Sequence, residues 1–100
     1  MDNDMHPATL MKAATPFQFK LLHQIVAERQ RQDAKWGEQN HGDLKWMTIL
    51  TEEVGEAAKG ILQEELAGLP GEPNGNLEEE LVQIASVAMA WLEAIARRKA

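Results

Sequence analysis

The sequence predicts an all-α protein, a helical bundle of three main helices per chain completed by dimerisation. Three observations carry that expectation. Apolar residues recur at helical spacing in three long segments, and Val and Ile never alternate with polar residues for long, as a half-buried strand requires. Two short stretches rich in Gly, Asn and Pro punctuate the segments. Finally, the second and third segments are apolar over most of their circumference, which calls for burial on two sides. Three helices of this length cannot cover two faces each, so a second copy is expected to complete the bundle.

The elements follow in order. Residues 1–14 mix Met, Asp, Asn, His, Pro and Thr without periodicity and are expected to form a flexible N-terminal segment, leaving 15–100 as a single helical domain. Thr15-Pro16-Phe17-Gln18 reads as a capping box with Pro at the first helical position, where its missing N–H costs nothing. Phe17, Leu21, Leu22, Ile25 and Val26 then repeat at helical spacing, giving a first main helix over about 16–35. Its later turns, Glu28 to Lys35, are almost wholly polar, and Gly37 stops it. After the loop 37–43, Asp43 is a fair N-cap for a second helix over about 44–67. Gly68, Pro70, Gly71, Pro73, Asn74 and Gly75 break the chain. Asn76, with Glu79 three residues on, opens the third helix, and Arg97, Arg98 and Lys99 close it in keeping with the helix dipole.

Charge and composition exclude several classes. A formal charge of −6 argues against a nucleic-acid or anionic-membrane surface. No apolar run reaches the roughly 18–20 residues of a membrane span, and no basic-apolar-small leader opens the chain. Zero cysteines leave neither a disulfide framework nor a thiolate metal site. A cytoplasmic protein is the default expectation.

The most informative stretches are Thr51-Glu52-Glu53-Val54-Gly55-Glu56 and Leu77-Glu78-Glu79-Glu80-Leu81-Val82-Gln83. At about 100° per residue, Leu50, Val54, Ala57 and Ile61 make an apolar stripe with Glu53 on its border and Glu56 about 60° further toward the polar side. On the third helix Leu77, Leu81, Ile84, Ala88 and Ile95 make the stripe, Glu80 borders it, and Gln83 sits about 60° beyond in the same sense. Val82, Ala85, Met89 and Leu92 form a second apolar arc there. Glu-rich helix faces are usually solvated surface. Two pairs in matching phase are a different matter, because packing the stripes together brings three carboxylates and an amide oxygen over one patch. Crowded carboxylates repel, and a hard cation relieves them; Mg²⁺, or Mn²⁺, prefers such oxygens and shares the rest of its shell with water and phosphate.

The pattern Glu52-Glu53-x-x-Glu56 followed by Glu80-x-x-Gln83 resembles the E-E-x-x-E and E-x-x-D motifs of the all-α NTP pyrophosphatases, the MazG-like superfamily. Lys35-Trp36-Gly37-Glu38-Gln39-Asn40-His41 is similar to a stretch of small MazG-like proteins of bacteria and phages. The similarity covers about residues 17–97. Gln83 is the departure, standing where the family pattern has Asp. The resemblance implies a Mg²⁺-dependent pyrophosphohydrolase that cleaves a (d)NTP or related nucleotide between its α- and β-phosphates to nucleoside monophosphate and pyrophosphate. Glu53, Glu56 and Glu80 are then the expected metal ligands. Gln83 offers an amide oxygen but subtracts a charge. Glu52 is a candidate water-activating base, a support for the ligands, or a solvated side chain.

For the nucleotide itself, Lys59 lies on the polar side near Glu56 and is a candidate phosphate contact. Trp36 and His41 flank the loop entering the carboxylate helix and can hold a nucleobase, with Gln39 and Asn40 offering amide edges; Trp46 lies on the apolar stripe as core. Trp91 either roofs the pocket or simply packs. A different class remains open, favoured only by Gln83: a non-catalytic dimeric regulatory or interaction module on the same scaffold. The expected partners are a nucleotide and a second copy, as a homodimer or higher even oligomer.

Overall fold

A computed structural model describes residues 6–65 and 77–100, and in them every regular element is a helix: α1 (Pro7–Ala13), α2 (Pro16–Trp36), α3 (Asp43–Glu65) and α4 (Leu77–Lys99). The expected break at 68–75 and the expected cap at Asn76 lie outside the described residues.

Local chemistry explains the boundaries. Thr15 Oγ1 accepts from the Gln18 amide at 3.1 Å, while Gln18 Oε1 accepts from the Thr15 amide at 2.8 Å, so the capping box closes as read. Gly37 ends α2 with φ 72°, a backbone region that favours glycine, and its N–H donates to Asp33 O at 2.8 Å. The start of α3 departs from expectation by one residue. Trp46 N–H donates to Gly42 O, so Asp43 is the first helical residue rather than the cap. Its carboxylate instead accepts from Trp91 Nε1 and pairs with Arg98, both at 3.0 Å. The segment 7–13, read as irregular, forms a helix. His6 Nδ1 accepts from the Ala8 amide at 3.1 Å and Pro7 follows the cap, a start signal followed by too few residues to show a period.

Helix α4 is the spine. It packs on α3 along one side and on α2 along another, whereas α2 and α3 do not pack on each other. Polar ties set the directions: Asp43 at the start of α3 meets Trp91 and Arg98 near the end of α4, while Arg97 holds Asn40 and Gln39 just past the end of α2. Helix α3 is therefore antiparallel to α4, and α2 runs the same way as α4.

The α3–α4 seam is a small core of Trp46, Val87, Ala90 and Ala94, with Ile49, Leu50 and Trp91 packed around it. Ser86 is fully buried and returns its hydroxyl to Val82 O at 2.7 Å. This face differs from the expected stripe. Small side chains at 86, 90 and 94 let the helices approach, whereas Leu77, Leu81, Val54 and Ile61 stay exposed. Helix α2 joins through charge. Arg29, 8 % exposed, donates from Nε and Nη2 to the two carboxylate oxygens of Glu93 at 2.8 and 3.0 Å. Its remaining donors reach Gln32 and Asp33.

That pair leaves a pH signature. The hydrogen bond from Arg29 holds the Glu93 carboxyl below its ordinary range, against burial that pushes it up. A depressed acid contributes stability above the ordinary Glu range and loses it on acidification through the lowered value. We expect Arg29→Ala to cost about 2 kcal/mol at neutral pH, discounted for the partial exposure of Glu93, because a half-buried carboxylate loses its partner. Urea denaturation of parent and variant checks this, and the difference should shrink below pH 4.

Candidate metal centre and adjoining cleft

The seam positions of α3 run Trp46, Ile49 and Leu50, Glu53, Ala57, Gly60; those of α4 run Glu80, Gln83, Val87, Ala90, Ala94. Both progress by three or four residues, so Glu53, Glu80 and Gln83 continue the faces that bury the core. The apolar seam gives way to acids part of the way along.

There, Glu53, Glu56 and Glu80 each offer a carboxylate oxygen, and the three oxygens lie within 4.8 Å of one another. Glu53 and Glu80 are half-buried and Glu56 is exposed. Burial first, then the charges of Glu56, Glu80 and Glu52, push the Glu53 carboxyl above its ordinary value. Glu80 Oε2 is buried with no hydrogen-bond partner among the described residues. A desolvated carboxylate oxygen without a donor is costly. A divalent cation would meet that need, so the donor set fits Mg²⁺ or Mn²⁺.

Beside the cluster lies a cleft of about 350 Å³. Because α2 and α3 stand apart, α4 forms its floor through Gln83, Val87 and Ala90. Helix α3 supplies one wall with Trp46, Ile49 and Glu53, and α2 the other with Glu28, Arg31, Gln32, Lys35 and Trp36. A second groove of about 470 Å³ continues between α2 and the first turns of α4 and reaches Glu80. The two share Glu28, Arg31 and Gln83.

The sequence candidates are placed as follows. Gln83 lines both grooves next to the cluster. Trp36 is 62 % exposed at the cleft rim, with Lys35 Nζ 4.8 Å from its ring centroid. Gln39 lines the cleft, but Asn40 is tied to Arg97 and Glu38. His41 does not line it; its ring leans on Trp46 at 4.9 Å and 60°. Glu52 and Lys59 are exposed and line neither groove. Trp91 packs at the opposite end of the seam, bonded to Asp43, and lines neither groove. Unforeseen were the α2 residues Glu28, Arg31, Gln32 and Lys35. Their signal was the polar half of an otherwise apolar helix, whose buried Glu28 pairs with Arg31 and accepts from Gln32. Compared with protein-family models, characterised proteins and solved structures, the chain finds no match.

Like-charge crowding gives a test by sign. Glu53→Gln removes a carboxylate whose protonation the fold favours, so it should raise the melting temperature of metal-free protein. An acid with a raised value destabilises the fold once pH climbs past the ordinary Glu range, so the gain should be larger at pH 8 than at pH 4. Mg²⁺ should then stabilise the parent more than the variant. Thermal melts in EDTA and in Mg²⁺ at the two pH values read all three effects.

Proposed function

We propose that the chain is a Mg²⁺-dependent nucleotide pyrophosphohydrolase, cleaving a (d)NTP or related nucleotide between its α- and β-phosphates. The observation that carries the reading is the convergence of Glu53, Glu56 and Glu80, with one Glu80 oxygen buried and unpartnered, at the edge of a cleft with an exposed tryptophan on its rim. In this reading the three glutamates hold the metal and Gln83 adds a neutral oxygen or leaves a place for water. Bound there, the cation would neutralise phosphate charge and lower the pKa of the attacking water. In this reading Glu52, exposed beside Glu53, would accept the proton from that water. Trp36 offers a ring face and Gln39 an amide edge to the base.

We further propose that a second copy covers the outer faces. Phe17 and Leu44 are 80 and 83 % exposed, and Val54, Ile61, Leu62, Leu77, Leu81 and Leu92 also stand out. Large apolar side chains exposed along all three long helices support this reading, since contiguous apolar surface marks an interface. The protein is then a homodimer or a higher even oligomer, at work in the cytoplasm. The neutral Gln83 also suits a second reading, a helical dimeric module that regulates without catalysing.

A panel of nucleotides incubated with protein and Mg²⁺ separates the two: monophosphate plus pyrophosphate supports the enzyme, and intact nucleotide throughout rejects it. Gln83→Asp should tighten Mg²⁺ binding measured by calorimetry, because it adds an acidic charge beside the cation. Sedimentation should give at least twice the 11.2 kDa chain mass; a monomer at micromolar concentration would rule out the dimer.

A further inference from the structure

Phosphate charge must be met by something besides the metal. Three ionised carboxylates and one divalent cation sum to a formal charge of −1, so a triphosphate tail meets net repulsion unless cations stand nearby. Among the described residues three arginines are held in polar ties away from the two grooves. Arg29 is spent on Glu93, Asp33 and Gln32; Arg97 on Asn40, Gln39 and Glu38; Arg98 on Asp43.

Two basic residues line the cleft that holds Glu53, and both come from α2: Arg31 and Lys35. They lie one helical turn apart on the same face, about 6 Å along the axis, close enough for both long side chains to reach one pyrophosphate. Arg31 is 69 % exposed and pairs with Glu28 through Nη2; a guanidinium carries five N–H donors, more than one carboxylate engages, which leaves donors for an oxyanion. It also lines the second groove, whose wall carries Glu80. Lys35 rests on Trp36 at the other end of the row.

We propose that Arg31 and Lys35 form a pyrophosphate anchor, binding the β- and γ-phosphates opposite the carboxylate cluster, and that the nucleotide lies along α2 with its base at Trp36. The proposal rests on the hydrolase reading for the identity of the nucleotide. The anchor itself is a statement about pyrophosphate recognition. It assigns to α2 the phosphate contact that the sequence suggested for Lys59, a residue lining neither groove. It also gives the protein a means to prefer di- and triphosphates over monophosphates, which lack the second anionic group.

Calorimetry with inorganic pyrophosphate, in Mg²⁺ and again in EDTA, tests it without any turnover. Arg31→Gln and Lys35→Gln should each weaken pyrophosphate binding about tenfold or more, the usual scale for one charge-assisted hydrogen bond. Neither should change Mg²⁺ affinity measured without pyrophosphate by more than about twofold. Lys20→Gln, an exposed charge on the same helix, should match the parent. Should Arg31→Gln unfold by releasing Glu28, a thermal melt reveals it and Lys35→Gln carries the test alone. A parent that does not bind pyrophosphate, or variants that bind it within twofold of the parent, overturn the anchor. A parent that binds pyrophosphate through Arg31 yet cleaves no nucleotide sinks the hydrolase reading and leaves the anchor standing.

Discussion

Everything in this structure depends on α4 being shared. Two helices dock on it and not on each other, by different physics. Helix α3 is held by close apolar packing around Trp46, made possible by small residues at 86, 90 and 94. Helix α2 is held by a nearly buried arginine that divides its donors among Glu93, Asp33 and Gln32. A guanidinium makes a longer bridge than interdigitated alanines do, so it attaches α2 without closing the space beside it. The cleft is that space, left open between two walls with a common floor.

The acids occupy positions where packing alone would place Leu or Val. Glu53 and Glu80 lie in register with Trp46 and Val87 along the seam, and the cost is visible in the raised proton affinity of Glu53 and in the unpartnered oxygen of Glu80. A fold tolerates such a local conflict where a site is supported by the surrounding structure. The proposed cation gives the conflict a purpose, since it turns mutual repulsion into a preformed ligand set. The neighbouring polar wall of α2 extends the same logic, with positive charge facing the anionic end of the proposed substrate.

Much of this was legible in the residues. The capping box at Thr15, the Gly37 stop and the three long helices follow from local rules that need no tertiary context. The grouping of Glu53, Glu56 and Glu80 was readable because i, i+3 spacing on two helices fixes phase. Phase does not say which face wins, however. Ile84, Ala88, Val87 and Ala90 all look apolar in sequence, and only the fit of small side chains against Trp46 selects Val87 and Ala90 for the core. Likewise, Asn40 looked available for a base until the fold turned it toward Arg97. The contribution of α2 to the cleft was hidden because a polar half-helix reads as solvent-facing when its neighbours are unknown.

The two sides of the spine differ in how their partners follow one another along the chain. The α3–α4 seam joins neighbouring helices, whereas the Arg29–Glu93 tie closes a loop of 64 residues. The α3–α4 hairpin carries all three clustered glutamates and the whole apolar core. Helix α2 adds no residue to that core and is tied to α4 chiefly through Arg29. The acidic cluster therefore belongs to the part of the molecule that holds the apolar core, while the wall facing it belongs to a helix held by polar ties. Releasing the Arg29 tie would open the cleft while leaving the cluster intact.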